Sequence, residues 1–455
     1  MEKSYLKFLN HASFLIESKS SILLVDPWFS GAAFNYGWSL LNNDIKDEEL
    51  IEGIIKSNKK LFIWYSHEHS DHLSFTFLKK LVSTNTKFNI LFHETDDKRV
   101  VSYLLKKKLN VKEQKDGIKY FIDDELSITT WKFQDNIDSY CLININQISI
   151  LNLNDCIVNN KETAFEIKEK TNKFEENIDI LFTQFGYANW ISNKEDIEER
   201  KSKANEKNQR IFIQNKILNP KTIIPFASFI YFSNQDNFFT NDFQNTPLRL
   251  RNSSILKTIQ DKIFFMKPDD IFYLDNSHIN RLKKNSLNAE KYWNNLFNFI
   301  KPINYNEKKF EFFELKRIFK RHRLMISFKL IFLPQILEVI GFIKPIIIYL
   351  IDLKQTVKFS WLQEPEILET KENIILSIRS PSLAFTFSNE YGIDALSVNG
   401  RFHENVKSKF SDFERFLIFQ KFVQNGITIK NPNIFFLILI KAIIKKIKIL
   451  LIKSK

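Results

Sequence analysis

The sequence predicts an α/β protein: an αββα sandwich of two sheets under helices, then a small α+β domain, then a basic C-terminal helix. Three observations carry this. Short β-branched and aromatic runs of strand length crowd the first 155 residues, with a few helical stretches between them. Further on, apolar strand-length runs are separated by a long charged helical stretch, as in sheets packed together and covered by helices. Finally, no Asp or Glu follows Glu414, where the chain turns to Ile, Leu, Phe and Lys.

In chain order, YLKFL (5–9), SFLIES (13–18) and SILLVDPWF (21–29) read as strands, with SKS (18–20) as a turn. Residues 45–60 read as a helix leading into the strand LFIWYS (61–66). FTFLKKLVS (75–83) is helical, FNILFHE (88–94) a strand and DDKRVVSYLLKKK (96–108) a helix. Strands follow at 119–122, 126–133, 139–145 and 147–155. IDILFTQ (178–184) and KTIIPFAS (221–228) are further strands, separated by a charged helix over about 193–218. This first domain is assigned to residues 1–300. Residues 301–355 read as a helical connector and the start of a second domain. Residues 356–430 read as a small α+β domain closing with FSDFERFLIFQKFVQNG. Residues 431–455 read as a basic amphipathic tail, in which Lys441, Lys445 and Lys448 share one helix face.

Composition narrows the function. With 455 residues, 44% hydrophobic and 14% aromatic, the chain has ample material for more than one core. The net charge of +13 is spread as lysine among Ile, Asn and Phe rather than gathered in one stripe, so a nucleic-acid surface is not the expectation. Cys141 and Cys156 cannot make a disulfide framework, and the start MEKSYLKFLNHASF lacks a signal-peptide pattern; a reducing cytoplasm is the expected location. The most apolar run, 330–351, is broken by Pro334, Glu338, Lys344 and Pro345 and reads as buried helix plus strand rather than a membrane span. The tail 434–455 is expected to lie on an anionic membrane surface, a peripheral placement, or to pack on its own domain.

The stretch SHEHSDHLS (66–74) holds three of the eight histidines and one Asp directly after an apolar strand. Imidazole and carboxylate groups converging from a rigid base are what divalent transition metals require. His67 and His69 point one way from an extended turn, and Asp71 and His72 serve a second position nearby. Two ions about 3.5–4 Å apart are the usual device for activating water and clamping a displacement.

This H-x-H-x-D-H stretch resembles the signature of the metallo-β-lactamase fold, and LNHASFLIES…ILLVDPWFSG resembles the opening hairpin of its lactonase- and phospholipase-like branch. Together, DPWFSGAAFNYGWSLL, YSHEHSDHLSFTFLKKL, DSYCLININQISILNLNDC and NPKTIIPFASFIYFSNQDN resemble the catalytic domain of the CMP-N-acetylneuraminate hydroxylases over residues 4–300. The resemblance implies one or two divalent ions (Zn, Mn or Fe) held by His67, His69, Asp71, His72 and the bridging Asp155. Where the family has two more histidines this chain has Gln134 and Asn234, weaker amide ligands. His11 is placed near the site, and Asp26 is expected to orient a ligand histidine. Trp28, Trp38 and Tyr36 are candidate pocket residues. Those hydroxylases carry a Rieske iron–sulfur domain; this chain has no paired Cys/His motif, so no iron–sulfur cluster is expected in it and a redox partner would be separate. Residues 371–404, KENIILSIRSPSLAFTFSNEYGIDALSVNGRFHE, faintly resemble sterol-carrier-like domains.

The expected function is a metallo-hydrolase-like enzyme using metal-activated water on a sugar, sugar nucleotide or surface-glycan precursor, with Asp71 as the proton acceptor. Its alternatives are a component of a hydroxylase-like monooxygenase, a phosphodiesterase or lactonase, and a non-catalytic binding protein.

Overall fold

The computed structural model describes residues 3–134, 137–275, 278–370, 372–405, 410–424 and 426–428. The basic tail with Lys441, Lys445 and Lys448 lies outside the described residues.

Two sheets face each other. The first runs, edge to edge, through Ile271–Tyr273, Tyr5–Asn10, Ser13–Glu17, Ser21–Val25, Lys60–Tyr65, Phe88–His93 and Val111–Gln114. Its hairpin half is antiparallel and its other half parallel. The second runs through Thr222–Phe226, Ile180–Gln184, Ile148–Asn152, Ser139–Ile145, Leu126–Lys132 and Lys119–Phe121.

Strand alternation builds the layers. In Lys60–Tyr65, Phe62 and Trp64 enter the core between the sheets, beside Leu142, Ile150 and Phe182. Leu61, Ile63 and Tyr65 point to the opposite face, where Ile51, Phe77 and Leu104 from the covering helices meet them. Those helices are Asp47–Ser57, Phe75–Ser83 and Arg99–Lys106; Lys161–Asn172 and Ile197–Leu218 belong to the second sheet's side. The architecture is the αββα sandwich read from the sequence.

A separate core gathers residues from Leu315 to Val423. Its five-stranded sheet runs Glu366–Leu368, Gln355–Phe359, Ile346–Leu350, Leu376–Ile378 and Phe402–Glu404. The helices Phe312–Lys329, Ser380–Ser388 and Gly392–Asn399 pack with it. One expectation is corrected here. The run 330–351 is only partly buried: Leu333, Leu337, Ile346 and Ile348 enter the core, but Ile331, Phe332, Ile336 and Val339 face solvent. The helix Leu333–Val339 has just one side against the core, so its apolar residues cannot all be covered.

Candidate metal centre

The site forms where several strands of both sheets end together. Lys60–Tyr65 lies inside the first sheet and delivers Ser66 and His67, whose position is fixed by Ser139 Oγ donating to the Ser66 carbonyl at 2.6 Å. The chain then turns: the backbone N–H groups of His72 and Leu73 donate to the His69 carbonyl at 3.0 and 2.8 Å. Ser74 caps the following helix by accepting from Phe77 N at 3.2 Å. That tight turn between two fixed ends holds His67, His69, Asp71 and His72 on one side of the loop.

His67 Nε2 and His69 Nδ1 are 2.8 Å apart. Asp138 joins them, with Oδ1 3.9 Å from His67 Nε2. On the other side, His72 Nε2 is 3.4 Å from Asp71 Oδ2 and 3.5 Å from Asp155 Oδ2. His11, from the turn of the first hairpin, brings Nε2 to 3.4 Å from Asp71 Oδ2. Two sets, His11–Asp71–His72 and His67–His72–Asp155, each present donor atoms all within 4.8 Å of one another.

Asp26 anchors the centre. Its Oδ2 lies 3.0 Å from His72 Nδ1 and accepts from Ser66 Oγ at 2.7 Å and Asn154 Nδ2 at 2.7 Å; its Oδ1 accepts from Ser66 N at 2.8 Å. With Nδ1 engaged, His72 turns Nε2 to the cluster. Behind Asp155 runs a second chain of contacts: Gln184 Nε2 donates to Asp155 Oδ1 at 3.0 Å, and the buried Lys207 ammonium donates to Gln184 Oε1. Lys207 thereby fixes which way the Gln184 amide faces.

Burial holds the His67 pKa down at about 4, with His72 adding to the effect, and burial with His67 lowers His69 as well. Burial alone would also depress His72, but Asp71 and Asp155 outweigh it and raise its pKa well above the ordinary value. The same burial would raise Asp71; His72 and His11 outweigh it and hold the carboxyl well below its usual range. Three carboxylates thus surround one imidazole, an excess of negative charge that suits a cation.

The residues fit a metal. Both ring nitrogens of His11, Asp71 Oδ1 and His72 Nε2 are buried without a hydrogen-bond partner. An orphaned buried polar atom costs about 1–3 kcal/mol, and an ion shared by His11, Asp71 and His72 would satisfy one such atom on each of the three.

The other sequence candidates fall in different places. Gln134 is exposed and its amide donates to Thr163 Oγ1 at 3.2 Å, so the amide expected at the first ion turns to a helix start instead. Asn234 caps its own loop, accepting from Asp236 N at 3.1 Å. Trp28 is buried with its ring 5.6 Å from His11. Trp38 is buried between Phe34 and Phe232, and Tyr36 is exposed against Tyr305. Sequence reading missed Asp138, Asn154, Gln184 and Lys207. Asp138 carried a signal, as the acid that opens DSYCLI; the others are ordinary polar residues until the fold brings them in.

The centre is covered. Phe34 sets its ring 5.7 Å from His69, and Phe34, Asn35 and Tyr36 are three consecutive residues in the left-handed region, at φ 49°, 53° and 58°. The second core holds that loop: Asn399 Nδ2 donates to Phe34 O at 3.0 Å and Arg401 Nη1 to Asn35 O at 2.6 Å. It also reaches the histidine loop through Arg99, which pairs with Glu68, donates to Gln424 O at 2.9 Å and lies 4.9 Å from the Tyr391 ring centroid.

Two facing mixed sheets under helices, with an H-x-H-x-D-H loop at a strand end and a carboxylate from the opposite sheet, decide the architecture. The fold is that of the metallo-β-lactamases. No family model matches the chain. In sequence the chain is similar to the cytidine monophosphate-N-acetylneuraminic acid hydroxylase of Danio rerio, 27% identical over 241 residues, covering 49% of this chain and 38% of that protein. The Xenopus laevis enzyme is 26% identical over 272 residues, covering 55% and 43%. The chain thus spans less than half the length of these relatives. Among solved structures it is similar to CmlA, a diiron β-hydroxylase from Streptomyces venezuelae, at 14% identity and a TM-score of 0.40 over 60% of this chain and 55% of that one. It is also similar to Igni18, a metallo hydrolase from Ignicoccus hospitalis, at 15% and 0.37 over 60% and 99%.

Proposed function

We propose that the chain is a metal-dependent, hydrolase-like enzyme of the metallo-β-lactamase fold acting on a sugar, sugar nucleotide or surface-glycan precursor. The observation that carries the metal is the cluster of buried, unpartnered donor atoms on His11, Asp71 and His72. The sugar-nucleotide class is supported by the likeness to hydroxylases named for a CMP-sugar.

In this reading His67, His69 and Asp138 hold one ion, His11, Asp71 and His72 a second, and Asp155 stands between them. A divalent ion supplies Lewis acidity, polarising a substrate oxygen and making water easier to deprotonate. In this reading Asp71 takes the proton from water, supported by its Oδ1 being buried without a hydrogen-bond partner. Asp26 keeps His72 oriented through Nδ1, and Gln184 keeps Asp155 oriented through Oδ1. Phe34 keeps bulk water from the histidine pair.

A second reading is a hydroxylase-like component working with a separate redox partner. It is favoured by Asp138, because two histidines and one carboxylate form the donor set that suits non-haem iron. Elemental analysis of the purified chain, reconstituted separately with Zn, Mn and Fe(II), tests both. About two equivalents of metal, lowered in His69→Ala and His72→Ala, support the enzyme. Selective retention of iron favours the second reading. No metal under any reconstitution sinks both.

A further inference from the structure

The helix Phe312–Lys329 is apolar on two sides. Leu315, Phe319 and Ile326 face the second core. Opposite them, Leu324 and Phe328 are exposed, Phe328 to 67%. The chain then turns through Ile331 and Phe332, at φ 48° and 56°, into the helix Leu333–Val339, where Ile336 and Val339 are exposed, Val339 to 69%. The rings of Phe328 and Phe332 meet at 5.9 Å and join the two helices' outer faces. A β-branched residue in the left-handed region is strained. Here that strain presents large apolar side chains to water, and scattered surface hydrophobes do not account for such a run.

Charge identifies what covers it. Between Leu315 and Ile351 the sequence has seven Lys and Arg residues and a single acid, Glu338, which is buried and bonded to Ser360 and Trp361. Arg317, Lys320, Arg321 and Lys344 are exposed; Lys320, Arg321 and Lys344 make no ion pair among the described residues, and Arg317 has only a weak electrostatic contact with Glu314. The helix Ile418–Gln424, which packs on Phe312–Lys329, leads toward residues 429–455, where the sequence carries seven lysines and no acid. Large exposed apolar side chains on a segment carrying exposed Lys and Arg and only one, buried, acid match an anionic bilayer surface: the apolar side chains enter the headgroup region while Lys and Arg meet the phosphates. No helix among the described residues is long and apolar enough to cross a membrane, so the element lies on the surface.

We propose that the turn between these two helices is a membrane-docking face, inserting Phe328, Ile331, Phe332, Ile336 and Val339 into an anionic lipid surface. From sequence this segment reads as a connector running into a buried helix plus strand.

Sedimentation of the full chain with phosphatidylcholine vesicles, with and without phosphatidylglycerol, tests this. The full chain should pellet with the anionic vesicles only, and raised salt should weaken the binding. Phe328→Ser with Phe332→Ser should lower partitioning at least about tenfold with an unchanged circular dichroism spectrum. Arg317→Glu with Arg321→Glu, both exposed positions, should do the same should the first pair misfold. The proposal fails if the full chain stays in the supernatant or if both pairs pellet normally. It also fails if Lys441→Glu, Lys445→Glu and Lys448→Glu alone abolish binding while both pairs leave it intact. Light scattering that shows the full chain as a dimer and the Phe variant as a monomer, with no vesicle binding by either, would assign the face to a second copy instead.

Discussion

Replacing Arg401 with Leu is expected to cost about 3 kcal/mol and to loosen the loop over His69. The Arg401 side chain is fully buried, with Nη1 on Asn35 O at 2.6 Å and on Glu307 Oε1 at 2.9 Å, and Nη2 on Glu307 Oε2 at 2.5 Å. Asp236 Oδ2 lies 3.6 Å away. Removing one partner of a buried ion pair costs about 3–5 kcal/mol. Two features place this case at the lower end. The Glu307 and Asp236 side chains each keep 15% exposure, so water can reach them, and Asp236 retains Arg379 Nε at 2.7 Å. The loop should respond too, because left-handed backbone costs roughly 1–2 kcal/mol per non-glycine residue and residues 34–36 would keep only the Asn399 bond from the second core. Urea unfolding followed by tryptophan fluorescence measures the first effect, and amide hydrogen exchange at residues 34–38 the second. A stability loss below about 0.5 kcal/mol, with exchange at 34–38 unchanged, would refute the view that Arg401 locks the two cores over the metal centre.

Four further outcomes are expected. His322 is buried beside Phe319, Trp361 and Phe387, and burial lowers its pKa from 6.5 to about 4. Its contribution is complete above pH 6.5 and is lost as pH falls through about 4, because the unfolded chain takes up the proton first; the gap is worth about 3 kcal/mol, and His322→Phe should flatten that part of a stability-versus-pH curve. Burial, reinforced by Arg210, lowers Lys207 from 10.5 to about 7, so the unfolded chain binds more protons between those values and wild-type stability rises with pH across that window. Lys207→Met should abolish that rise and, by freeing Gln184, weaken metal binding about tenfold or more in a chelator competition. Asp138→Asn should lower metal retention whereas Gln134→Ala should not, read by elemental analysis after dialysis. His11→Ala should remove roughly one equivalent and leave the other; loss of both, or of neither, would break the division into two sets.

The sandwich was legible because both sheets are built from strands whose two faces are buried, which leaves nearly continuous apolar runs such as LFIWY at 61–65. The histidine loop was legible because its donors lie within six residues. What escaped reading lies far apart in sequence. Asn154 lies 128 residues from Asp26, and Gln184 and Lys207 lie 29 and 52 residues beyond Asp155; they meet the site only where strands of both sheets end together. The resemblance also misdirected attention to Gln134, four residues before Asp138; spacing along a loop does not fix which residue turns inward. The exposure along 331–339 escaped for another reason: composition records that residues are apolar, and only packing shows which of them run out of core.

The two amides that stand where histidines were expected do not mean that the cluster is short of donors. In the proposed reading each vacancy is met by a residue from a different element: Asp138, with Oδ1 3.9 Å from His67 Nε2, would serve beside His67 and His69, and His11 approaches from the first hairpin. The hairpin turn carrying His11, itself at φ 34°, is tied to the end of strand Thr222–Phe226, where Ala227 N donates to the His11 carbonyl at 2.8 Å. What such a fold requires is a donor atom at a place, and neighbouring strand ends are close enough that more than one can provide it. A carboxylate in place of one imidazole, as Asp138 would be, adds negative charge, which raises the demand for a cation and favours harder, oxygen-loving ions.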